Sequence, residues 1–218
     1  MTITSDPLVT TADVHEVMAA IEAVDLEAPW EEVAPRLRPA LPRRRPLPPG
    51  TDDLPEREYP PGIRVTLGLD IGPAMLFVNQ AQVDRWGVTA DQAFRRAISN
   101  IRVRVRLRRQ FALIHERICD VPTVAFQSRE GWASSLLLMP DELIRVLGAR
   151  DGLLMAPMRD LLLLMPLDAE PGLATLIMEE FAEADMNALD LPLFVLLDGR
   201  LNPAIAVPAD ALAEQRRN

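Results

Sequence analysis

The chain has 218 residues, 49% of them hydrophobic, a formal net charge of −9, two His, one Cys and one Tyr; all of its 23 basic residues are Arg. The apolar content marks a folding chain rather than a disordered one, and a lone Cys excludes an internal disulfide. The acidic balance opposes general affinity for nucleic acid, which depends on accumulated positive charge.

The first segment, 1–33, reads as a helical arm. Residues 10–24 carry Val14, Val17, Met18 and Ile21 at helical spacing, so an amphipathic helix is expected. Residues 34–58 follow as a Pro-rich linker. Pro removes a backbone donor and restricts the residue before it, so no regular element is expected there. The triplet Arg43-Arg44-Arg45 reads as a solvated patch within it.

From residue 59 to 208 the pattern changes to hairpins alternating with helices. Ile63 to Leu69 alternates as a strand does, and Ala74 to Val78 returns after a turn. Thr89 and Gln92 form a capping box that opens a helix with Phe94, Ala97, Ile98 and Ile101 on one face. The stretch 101–109 alternates Arg with apolar residues and reads as a strand, although residues 104–118 leave helix open. A second hairpin is expected between 122–127 and 132–139, then a short helix from Pro140 to about Gly148. A third hairpin joins 152–156 to 161–165, a helix runs from Pro171 to about Ala188, and Asp198-Gly199 signals a tight hairpin between 193–197 and 200–207. Residues 209–218 are a tail. The apolar runs around 161–167 and 193–197 are broken by Pro166 and Asp198, well short of the ~20 residues that span a bilayer. These elements predict an α+β fold, mainly an antiparallel sheet with packed helices.

The order of the elements, with several short strings, resembles the YtpQ-like family of bacterial proteins, named as a domain of unknown function. The strings are Ile63 to Asp70, Phe77 to Gly87, Ala97 to Arg102, Gly131 to Leu138, Ala156 to Leu162 and Asp198 to Pro203. The resemblance covers about residues 59–207. It departs at Ala133, where the family tends to carry Asp before the following small residue, and in residues 104–118, which look inserted. It implies the α+β fold and assigns no activity or site residue.

Reactive chemistry is sparse. His115 and Cys119 would share a face if residues 115–119 were helical, with Glu116 or Asp120 to orient the ring. That is the catalytic candidate, set against a Cys buried between Ile118 and Val121. The binding candidates are Arg102, Arg104, Arg106 and Arg108, which a strand would align in one cationic row, and Arg159-Asp160 at a hairpin tip. Like charges in a row call for an anion. The net charge favours a carboxylate, such as Glu179, Glu180 and Glu183, over phosphate. Ser134 and Ser135 do not form a nucleophile elbow and are expected to face outward from a strand, and Trp86 and Trp132 are expected as core anchors. No metal site and no cofactor are expected from the residue spacing. The absence of a basic-then-apolar leader suggests a cytoplasmic protein. The reading that follows is a non-catalytic module that binds another protein or a second copy of itself. The alternatives are a Cys/His enzyme and an anion or nucleic-acid binder using the arginine row.

Overall fold

Leu161 to Met165 has no polar residue, and a strand of this kind needs cover on both faces. The structure is a computed structural model that describes residues 14–44, 46, 51, 53–72, 74–107, 111–128, 130–184 and 188–204. In chain order its elements are α1 Val14–Glu22, α2 Trp30–Val33, β1 Leu37–Ala40, β2 Arg57–Tyr59, β3 Ile63–Asp70, β4 Met75–Phe77, α3 Gln80–Arg85 and α4 Ala90–Arg106. They continue with β5 Phe111–Ile118, β6 Val121–Ser128, α5 Pro140–Leu147, β7 Gly152–Met158, β8 Leu161–Met165, α6 Pro171–Ala184, β9 Phe194–Leu197 and β10 Arg200–Pro203. Short 3-10 segments occupy Ala34–Arg36 and Ala133–Leu138. The fold is α+β.

The strands form two sheets. Six antiparallel strands stand in the order β10-β9-β7-β8-β6-β5, which places the all-apolar β7 and β8 at the centre. Odd-numbered residues Leu153, Met155, Leu161, Leu163 and Met165 point to one face, where Ala174 and Ile177 of α6 cover them. Even-numbered residues Leu154, Ala156, Leu162 and Leu164 point to the other. There they join a larger buried cluster through Trp132, Leu136 and Leu137 of the 3-10 region and Leu143 of α5.

The same cluster continues into the smaller sheet. Its hub is β3, paired with β1, β2 and β4. Helix α4 lies on this sheet with Phe94, Ala97, Ile101 and Val105 buried. Asn100 fastens it there, since its side-chain amide donates to the carbonyls of Ala34 at 2.7 Å and Leu37 at 2.9 Å.

Local signals explain most boundaries. Thr89 and Gln92 close both halves of the capping box at the start of α4. Gly148 ends α5 in the left-handed region. Asp198 and Gly199 both have positive φ, as a two-residue β9–β10 turn requires. Trp86 and Trp132 are core residues.

Five expectations are corrected. Residues 34–41 are not linker: β1 is buried at every position and pairs with β3 in the core. Pro39 is tolerated because β1 is an edge strand, where a missing donor breaks no ladder bond. Residues 101–106 continue α4 instead of forming a strand, and β5 supplies the strand from Phe111 onward. The hairpin partner of β6 is therefore β5, while Ala133–Leu138 turns as a 3-10 helix. The Ser128 hydroxyl accepts from the backbone N–H groups of Trp132 and Ala133, which bends the chain away from the sheet. Finally, Ala188 is not a helix end: Ala188 and Leu189 make isolated bridges to Met158 and Arg43. That bridge makes Arg43 part of the packed body rather than of a solvated patch. Residues 1–13, Arg45, Arg108 and the tail 209–218 lie outside the described residues.

At Gly152 the backbone of β7 runs close against β8. A Cβ there would stand 2.7 Å from the Met165 carbonyl oxygen and 2.5 Å from Leu164 Cδ1. A backbone oxygen held in a central sheet cannot step aside cheaply. Gly152→Ala is expected to lower unfolding stability by about 1–3 kcal/mol, read as a lower urea midpoint; an unchanged midpoint would contradict the packing described.

Candidate functional site

The register of β1 against β3 places Arg38 opposite Gly68, so Arg38 and Asp70 lie on the same face of the small sheet, two residues apart along the diagonal. Arg38 is buried, and its guanidinium donates to the Asp70 carboxylate and to the Glu130 carbonyl. Arg104 reaches the same place from α4, pairing with Glu130 and standing 3.5 Å from Asp70. Arg159 comes from the β7–β8 turn and packs over Gly131, with its charge acting on Arg38. Burial pushes the Arg38 pKa down to about 10, with Asp70 opposing that shift and Arg104 adding to it. The guanidinium stays charged at neutral pH, so the carboxylate of Asp70 and that of Glu130, 3.5 Å from it, are obligatory partners. Its Nε is buried without a hydrogen-bond partner.

A second cluster forms around Glu142 on α5. This carboxylate is only 5% exposed, yet Arg106 stands 2.7 Å away, Arg145 2.8 Å and Arg102 3.8 Å. Burial alone would push its pKa up. Hydrogen bonds from Arg145 and Arg106, with their charges, outweigh that and hold it below the ordinary value of 4.5.

One helix serves both clusters. Successive residues of an α-helix turn by about 100°, so residues two apart face nearly opposite ways. Arg102 and Arg106 therefore share a face toward Glu142, and Arg104 points away toward Asp70 and Glu130. Of the predicted arginines, Arg104 and Arg159 meet in one cluster, and Arg102 and Arg106 in the other. The single row expected of a strand does not exist, because this segment is helix. The carboxylates that answer these arginines are Asp70, Glu130 and Glu142, not Glu179, Glu180 and Glu183. Asp160 contributes its backbone carbonyl, which accepts from the Ser128 N–H at 2.9 Å.

The Cys/His pair is not assembled as a helix would assemble it. His115 is on β5 opposite Val124, whereas Cys119 and Asp120 are the two turn residues of the β5–β6 hairpin, both with positive φ. Cys119 is exposed at the hairpin tip, not buried. Among the described residues no hydrogen bond joins it to His115. A shallow cavity of about 260 Å³ is lined by His115, Glu116, Thr123 and Asp151, without Cys119. Ser134 and Ser135 are buried in the 3-10 segment rather than facing outward, and the Ser134 hydroxyl donates to the Arg159 carbonyl at 2.9 Å. Among the described residues no group of three or more His, Cys, Asp or Glu could hold a metal ion, and no helix is long and apolar enough to cross a membrane.

Sequence reasoning missed Arg38, Asp70, Glu130 and Glu142. Arg38 sat among prolines, and Asp70 and Glu130 looked like turn residues. One signal was available: Arg102 and Arg106, four apart on a helix, repel unless an acid lies between or beside them.

Comparison with known proteins finds no family model that matches the chain, no similar curated protein and no similar solved structure.

The Glu142 cluster makes a pH-dependent prediction. Its folded pKa lies below the unfolded one, so its contribution is complete above about pH 4.5 and is lost as the pH falls through the folded value. Glu142→Gln is expected to destabilise the protein at pH 7 by about 1–3 kcal/mol, from charged hydrogen bonds lost at a buried site. The urea midpoints of the two proteins should converge as the pH falls below 4.5 through the folded value. A gap that stays constant as the carboxylates of the protein titrate would contradict the role given to Glu142.

Proposed function

We propose that the protein is a non-catalytic module that binds another protein, or a second copy of itself, and that α1 is its capturing element. The observation that carries this reading is the state of α1 and the turn after it. Met18 is 50% exposed, Leu26 44% and Ile21 37%. A nine-residue helix is marginal by itself in water, and its apolar side chains gain free energy when a partner groove covers them. The chain after α1 is anchored on the domain, where the Gln82 side chain donates to the Leu26 carbonyl at 2.6 Å and Arg85 pairs with Glu27. The helix is thus held beside a folded body.

The exposed placement of Cys119, away from the shallow cavity beside His115, supports binding over a Cys/His enzyme. The pairing of Arg102, Arg104 and Arg106 with carboxylates supports it over nucleic-acid recognition, as does the net charge of −9. Membership of the YtpQ-like group and a cytoplasmic location belong to the same proposal. The first rests on the order of six short strings and adds no activity.

The test uses the full chain, because β1 is buried in the core and pairs with β3, and a truncation at residue 58 would remove it. Met18→Asp with Ile21→Asp is expected to leave the thermal midpoint unchanged and to weaken capture of the partner from a cell extract at least about tenfold. Undiminished capture by the double variant would refute the assignment of α1.

A further inference from the structure

The three most exposed large apolar side chains among the described residues are Leu107 at 56%, Val103 at 53% and Leu176 at 52%. They fall on two helices and sit among charges of opposite sign. On α4, Val103 and Leu107 are one turn apart, alongside Arg102 and Arg106, which are also one turn apart. Arg145 of α5 joins them. These three arginines share the single carboxylate of Glu142, so the patch holds two positive charges in excess on a chain whose net charge is −9. On α6, Leu176 is followed on the exposed side by Glu179, Glu180 and Glu183. Among the described residues these three glutamates have no ion-pair partner.

The two patches match in kind. Each has exposed apolar surface, Val103 and Leu107 on one and Leu176 on the other, beside charges spaced by one helical turn, Arg102 and Arg106 on one, Glu179 and Glu183 on the other. They cannot meet within one chain. Helix α6 covers the face of the six-stranded sheet that bears Leu153, Met155 and Leu163, whereas α4 belongs to the cluster on the opposite face, with Leu154, Ala156 and Leu162. We infer that this protein associates head to tail with copies of itself, the cationic apolar patch of α4 docking on the acidic apolar strip of α6 of the next copy. Such a contact uses different surfaces on the two partners. It propagates from copy to copy until it closes into a ring or ends as an open chain.

This inference goes beyond the binding role given to α1 and uses a separate surface, so the two fail independently. Met18→Asp with Ile21→Asp leaves both patches intact and should leave the salt-sensitive head-to-tail association intact, whatever α1 captures.

Sedimentation velocity on the full chain tests the inference. The wild-type protein should form concentration-dependent oligomers at low salt and become monomeric at about 1 M sodium chloride, where the Debye length falls to about 3 Å. Glu179→Arg with Glu183→Arg, at exposed positions of α6, should be monomeric at low salt with an unchanged thermal midpoint. Val103→Asp with Leu107→Asp, which leaves the Glu142 cluster in place, should be monomeric as well. A wild-type protein that is monomeric at low salt would overturn the inference. So would oligomers that persist in both the α6 and the α4 apolar variants. Binding of a short RNA duplex through Arg102 and Arg106, without self-association, would overturn it too and assign the patch to nucleic acid.

Discussion

A sheet that is apolar on both faces has to be covered twice, and this constraint organises the molecule. Strands β7 and β8 carry buried side chains at every position, above and below the sheet. Helix α6 supplies one cover. The other is composite: the 3-10 turn after Trp132, then α5, then α4 with the small sheet beneath it, joined in one continuous cluster of buried residues. The N-terminal strand β1, far away in sequence, is needed to complete that second cover. What reads as an arm, a linker and a domain is largely one packed body from about Ala28 onward.

Charge fastens this composite cover. Arg38, Asp70, Arg104, Glu130 and Arg159 come from five separate stretches of chain and converge where the small sheet meets the β7–β8 turn. Burying a guanidinium has a desolvation cost, visible in the depressed Arg38 pKa. Removing either of its carboxylates would leave that cost uncompensated, so the cluster specifies an arrangement more than it adds net stability. The Glu142 cluster differs. Its carboxylate is buried but its arginines reach solvent, so it turns a core edge into a surface of fixed positive charge. That surface, the acidic strip of α6 and the apolar face of α1 are what the molecule offers to partners.

Several elements were legible in the sequence because one strong local cause fixes each. The capping box of Thr89 and Gln92, the Asp198-Gly199 turn, the left-handed Gly148 and the unbroken apolar run of β8 are of this kind. The failures share another cause: two local patterns were compatible and tertiary contacts decided. Arg-Val alternation over residues 101–106 satisfies a strand's period of two. It also satisfies a helix whose opposite sides each have carboxylates to meet, and that is what the fold provides. Leu37 to Ala40 is strand despite Pro39, because β3 offers an edge. Cys119-Asp120 is a two-residue turn without the Gly or Asn that usually announces one. The site residues were half legible for the same reason. The arginines of α4 could be counted in the sequence, but the partners of Arg104 and Arg106 that set their direction lie 26 and 36 positions away.

The central claim is that the small sheet and the six-stranded sheet form one cooperative body held by a shared core. Native-state amide hydrogen exchange tests it most directly. The amides of Leu67 and Leu69 in β3 should exchange with the same opening free energy as those of Leu154 in β7 and Leu162 in β8, and all should shift together with denaturant. If β1 and β3 open at a free energy lower by more than about 2 kcal/mol while β7 and β8 stay protected, the two sheets are separate units and the account is wrong.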